Sequence, residues 1–85
     1  MTLGEIIQEE NLVDFEKVIK ILTFLQAIDL SNFKFTDTKY GISYYVTYYK
    51  DGFVYIEPDY YKDEPGRVQL RIPVQDLVDY EVTRV

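Results

Sequence analysis

The stretch from Tyr40 to Glu57, YGISYYVTYYKDGFVYIE, leaves this chain little choice of fold. Two runs rich in Tyr, Val, Ile and Phe flank Lys50-Asp51-Gly52. β-Branched and aromatic side chains suit a pleated surface, and Asp-Gly suits a tight turn, so the stretch reads as one β-hairpin. Two registers compete. A two-residue Asp51-Gly52 turn pairs Lys50 with Phe53 and sets Tyr44, Val46 and Tyr48 on the face of Tyr55 and Glu57, with Val54 and Ile56 on the other beside Thr47. A three-residue loop, Lys50-Asp51-Gly52 with Gly52 left-handed, moves the pairing by one. Ile42, Tyr44, Val46 and Tyr48 then share a face with Val54 and Ile56. The second register makes a continuous apolar face and is the one expected. Its opposite face carries Tyr45, Thr47, Tyr49, Phe53, Tyr55 and Glu57, which is unusually aromatic for a surface open to water.

The residues before the hairpin read as helix. Thr2-x-x-Glu5 has the form of a capping box, which opens a short helix at Leu3 anchored by Ile6 and Ile7. Glu9-Glu10-Asn11 interrupts the apolar pattern, and Asn11 or Asp14 can cap a longer helix running to about Asp29. An unbroken helix through Asn11 is the alternative. Leu12, Phe15, Val18, Ile19, Leu22 and Leu25 recur at helical spacing as the face meant for a sheet. Val13, Ile21, Phe24 and Ile28 form a second strip, which the short helix, a second copy or a partner would cover.

After Leu30-Ser31-Asn32, Phe33 and Phe35 alternate with Lys34 and Thr36 as a short strand that ends in the turn Asp37-Thr38-Lys39. Beyond the hairpin, Pro58 to Gly66 contains two prolines and a closing glycine and reads as a loop. Arg67 to Ile72 alternates, with Val68, Leu70 and Ile72 inward and Arg67, Gln69 and Arg71 outward, until Pro73 stops the strand. Val74 to Leu77 reads as one helical turn, and Val78 to Val85 as a last strand with Val78, Tyr80 and Val82 on one face. Helices first and then strands on short connections imply an α+β fold. The N-terminal helix, or a short plus a long helix, packs on one face of an antiparallel β-meander of four to five strands, as a single domain over 1–85.

The residue inventory narrows the chemistry. Histidine and cysteine are both absent, which removes the usual base near neutral pH, the usual thiol nucleophile, disulfides and thiolate zinc sites. The four glycines stand singly, so no phosphate-cradling loop is present. Ser31 and Ser43 sit in no nucleophile elbow. Glu57, Asp59, Asp63 and Glu64 could supply a carboxylate pair or a magnesium site, but they lie mostly on a proline-flanked stretch and lack the spacing of a calcium loop. No enzyme, metal or cofactor is expected. No apolar run approaches ~18 residues and no basic leader opens the chain, so a cytoplasmic protein is the expectation.

Binding is the remaining class. The net charge of −6 disfavours duplex nucleic acid and suits a basic partner. Tyrosine offers large contact area at low entropic cost, and carboxylates around it steer and pair with Arg or Lys. The candidate partner-binding residues are therefore Tyr45, Tyr49, Phe53, Tyr55, Glu57, Asp59, Tyr60, Tyr61, Asp63 and Glu64. Set against this, tyrosines also stabilise strands by cross-strand pairing, and Arg67 and Arg71 could stack over those rings. The leading functional reading is a small acidic protein that blocks a nucleic-acid-handling protein, its carboxylates standing where phosphates would. Inhibitors of the anti-restriction, anti-CRISPR and DNA-mimic type encoded by phages and mobile elements are chains of this kind. The alternatives are a homodimeric accessory protein using the aromatic face, and a sheet that stacks RNA bases on Tyr45, Tyr49 and Tyr55.

Overall fold

A computed structural model describes residues 1–61, Tyr61 by its backbone alone, and residues 69–85. The chain runs α1 (Leu3–Ile7), α2 (Asp14–Ala27), a 3-10 turn (Leu30–Asn32), β1 (Phe33–Asp37), β2 (Ser43–Lys50) and β3 (Phe53–Pro58). A 3-10 turn (Asp59–Tyr61), β4 (Leu70–Pro73), a 3-10 segment (Val74–Asp79) and β5 (Tyr80–Arg84) complete it. The expected α+β architecture is present: helices lie on one face of a five-stranded antiparallel sheet in the order β4-β3-β2-β1-β5. The first four strands form a meander. β5 leaves that order and pairs with β1, because Val74–Asp79 carries the chain from one sheet edge to the other through the helical layer.

Thr2 caps α1 as its sequence implies. Its hydroxyl accepts from the Glu5 backbone N–H, while the Glu5 carboxylate accepts from the Thr2 N–H at 2.9 Å. Those bonds hold the Glu5 carboxyl below the usual range. Gln8 and Asn11 both take left-handed backbone conformations, which breaks the helix before α2. Neither Asn11 nor Asp14 caps α2. Val13 is the N-cap, and Glu16 reaches back to its N–H at 3.4 Å. The helix ends at Ala27, short of Asp29, because Ile28 is extended.

The apolar strips of α2 sort differently from the expectation. Ile21 and Leu25 are buried, and Val18, Leu22, Phe24 and Ile28 pack against the core beside them. Phe15 and Ile19, expected on the sheet, point to solvent. Ile21, Phe24 and Ile28 of the supposed outer strip are the ones the core takes. α1 and the Val74–Asp79 segment share the inner layer, where Val74, Leu77 and Val78 are buried. Gly4 lets these two pieces approach closely, since a Cβ there would lie 3.1 Å from the Val78 carbonyl. Val78 is thus part of this segment and not of the last strand, whose inward residues are Tyr80 and Val82.

The core joins this layer to Phe35, Tyr44, Val46, Val54 and Ile56 on the inner sheet face. Phe35, on a strand flanked by β2 and β5, is fully enclosed. β4 is described from Leu70, and Pro73, expected to stop the strand, is its last residue and pairs with Phe53. Ile72 packs inward as anticipated, while Leu70 is on the same face but 45% exposed at the edge. Arg67 and Val68 lie outside the described residues, as do Asp63 and Glu64.

Candidate functional site

The hairpin combines features of both competing registers. Asp51 and Gly52 alone form the turn, both with positive φ (54° and 83°), and Lys50 pairs with Phe53. That is the two-residue turn whose twist suits a hairpin, and its second position favours glycine. The pairing then slips between Val46 and Tyr48, where Thr47 and Tyr48 together oppose Tyr55 in a β-bulge. The extra residue reverses the alternation. Below the bulge Tyr44 and Val46 face the core, and above it Tyr49 does.

Two assignments therefore change. Tyr49, expected on the outer face, packs against the core, and Tyr48, expected inside, is 45% exposed on the outer face. A strictly alternating strand cannot place Val46 and Tyr49 on one side. The bulge can, at the cost of one unpaired residue, and Thr47 uses that freedom: its hydroxyl donates to the Tyr55 carbonyl at 3.0 Å and accepts from Gln69 Nε2 at 3.2 Å.

The remaining sheet candidates share the outer face in two groups. Near the turn, the Tyr48 and Tyr55 rings stack with centroids 4.3 Å apart and planes 11° from parallel. The Arg71 guanidinium lies 4.6 Å over the Phe53 ring, the stacking anticipated from the next strand. Toward the far end, Tyr45 pairs across the ladder with Glu57. Lys34 Nζ stands 6.0 Å from the Tyr45 ring centroid and donates to Asp59 Oδ2 at 3.1 Å. That bond raises the Lys34 pKa, with the Asp59 charge second. Tyr60, on the 3-10 turn after β3, is mostly exposed.

An open groove of about 480 Å³ joins the second group, lined by Leu30, Ser31, Tyr45, Val46, Thr47, Glu57 and Val85. It forms where the β1–β2 ladder stops, at Phe35 and Tyr44, while β2 runs on past the 3-10 turn that precedes β1. Asp29 holds that turn by accepting from the Ser31 N–H and hydroxyl, which keeps its own carboxyl below the usual range. Lys34, Tyr48, Leu30 and Val85 were not legible as site residues. Adjacent tyrosines at 48 and 49 give no cue to which faces outward once a bulge intervenes.

A larger concavity, about 650 Å³, borders α1 and is lined by Glu5, Glu9 and Glu10 among others. Glu5 is committed to the α1 cap there. Among the described residues no three acidic side chains are placed to hold a metal ion, and no helix is long and apolar enough to cross a membrane. Compared with known proteins, the chain matches no family model, no curated protein and no solved structure.

Proposed function

We propose that the chain is a non-enzymatic protein-binding module that docks through the outer face of its sheet. One observation carries this reading: α1 and α2 lie on the inner face, while Tyr45, Tyr48, Phe53 and Tyr55 line the outer one beside an open groove. Rigid aromatic rings with a charged rim are the composition of an interface anchor. The net charge of −6 supports a basic partner, and an inhibitor of a nucleic-acid-handling protein is the form of the proposal that uses both features. The outer face itself mixes Lys34, Lys50 and Arg71 with Glu57 and Asp59, and Asp59 is engaged by Lys34. That mixture favours anchoring by aromatic rings over a continuous carboxylate array in place of phosphates.

The test is retention of a basic partner from lysate of the source cell on the immobilised chain. Salt should release it, because exposed charge pairs are screened. Tyr48→Ala and Tyr55→Ala should each weaken retention roughly tenfold or more, as truncation of an anchor does. Retention indifferent to both substitutions would remove the sheet face from the proposal. A change in tyrosine fluorescence on adding single-stranded RNA at low salt would replace the protein partner with a nucleic acid.

A further inference from the structure

We infer that α2 carries a second contact surface, separate from the sheet face, whose occupant is another copy of this chain packed antiparallel along it. Phe15, Ile19 and Leu22 are spaced four and three residues apart on α2, the a/d spacing of a helix–helix seam. The inner side of α2 is satisfied by Val18, Ile21 and Leu25, yet Phe15 is 73% and Ile19 49% exposed. Leu22, half-buried and packed in part against the core, continues the stripe toward the C-terminal end of the helix.

Helical geometry makes the stripe complementary to itself. A two-fold axis midway between Phe15 and Ile19 sets Phe15 against Ile19 of the second copy. The two large apolar residues that α2 exposes then meet each other, and the contact occurs twice. One flank of the seam carries Glu16 and the next residue on that side, Lys20. Two copies bring two carboxylates and two ammoniums together there, a neutral cluster. Among the described residues neither Glu16 nor Lys20 belongs to an ion pair within one copy. A partner of uniform charge would leave one of the two unmatched, and a second copy matches both.

One helix on each side buries less than the ~1,200 Å² at which stable interfaces begin, so the dimer should be weak and concentration-dependent. Sedimentation equilibrium of the full chain, from low micromolar to near-millimolar concentration, should show the mass rising toward twice the monomer. Phe15→Glu should weaken association roughly tenfold or more without unfolding the chain, since Phe15 is exposed. Lys20→Glu should weaken self-association, as should Glu16→Lys. Mixing these two variants should restore it, because the cluster is then neutral again. A wild-type chain that stays monomeric throughout overturns the inference. So does a dimer indifferent to Phe15→Glu, which would place the contact elsewhere, the outer sheet face included.

Discussion

Tyrosine stands on both faces of the sheet and meets different physics on each. On the inner face Tyr44 is 8% exposed, and its ring lies 6.2 Å from that of Tyr80 at 54°. Burial raises the pKa of both hydroxyls, and that of Tyr80 is pushed up to about 12, with Asp37 the next cause. On the outer face Tyr48 and Tyr55 stack on one another at 4.3 Å, with Arg71 over Phe53 in the same group. The inner rings stabilise by removing apolar area from water. The outer ones gain pair geometry, worth ~0.5–1.5 kcal/mol beyond area, and leave part of their surface exposed. Residue type does not choose the side. Strand pairing does.

Matched substitutions on the two faces give the largest contrast. Phe35→Ala should cost ~3–5 kcal/mol in urea denaturation, because Phe35 is fully enclosed and a cavity would remain. Phe53→Ala should cost about 1 kcal/mol or less, mainly its contact with Arg71. Equal losses would erase the distinction between the core face and the proposed binding face.

Alkaline titration follows. The folded state holds the Tyr80 proton more tightly than the unfolded chain does, so its contribution is complete below pH 10 and is lost as the pH rises toward about 12. Tyr80→Phe should make that decline shallower, as read by circular dichroism against pH. An unchanged profile would mean that the inner tyrosines are not distinguished by burial.

Smaller effects test how the hairpin assigns its faces. Gly52→Val should cost roughly 1–2 kcal/mol, since a branched residue is forced to a left-handed φ of 83°. Deleting Thr47 should cost only about 1 kcal/mol, for its hydrogen bonds to Tyr55 and Gln69. Without Thr47 the strand alternates regularly and still sends Tyr44, Val46 and Tyr49 inward, with the Asp51-Gly52 turn unchanged. Thr47 also lines the groove, so the deletion should depress partner binding more than stability. A deletion that unfolds the chain would show the bulge to be part of the scaffold and not a feature of the site.

Much of this architecture was readable from local chemistry. The Thr2–Glu5 capping box and the alternation of Phe33 and Phe35 with Lys34 and Thr36 each depend on residues close together in the chain, and each is realised; the hairpin turn falls at Asp51-Gly52 but takes two residues where three, Lys50-Asp51-Gly52, were expected. The site was half readable. Tyr45, Phe53, Tyr55, Glu57 and Asp59 fall on or beside the outer face, whereas Tyr49 does not and Tyr48 takes that role. The error has one cause: a period-two pattern read as unbroken keeps one phase, and a single bulged residue inverts every side chain beyond it. Lys34 and the groove-lining Leu30 and Val85 reach the site from distant parts of the chain, so spacing along the hairpin carried no trace of them.

By itself, then, the sequence determined the element types, the helix-then-strand order and the existence of one aromatic hairpin, because propensity, capping and turn chemistry act over a few residues. The tertiary structure decided which tyrosines face outward, which strip of α2 remains open and where β5 pairs. Those outcomes rest on long-range competition for a small core. Ile21 and Leu25 enter it with Val54 and Ile56, and Phe15 and Ile19 are left outside.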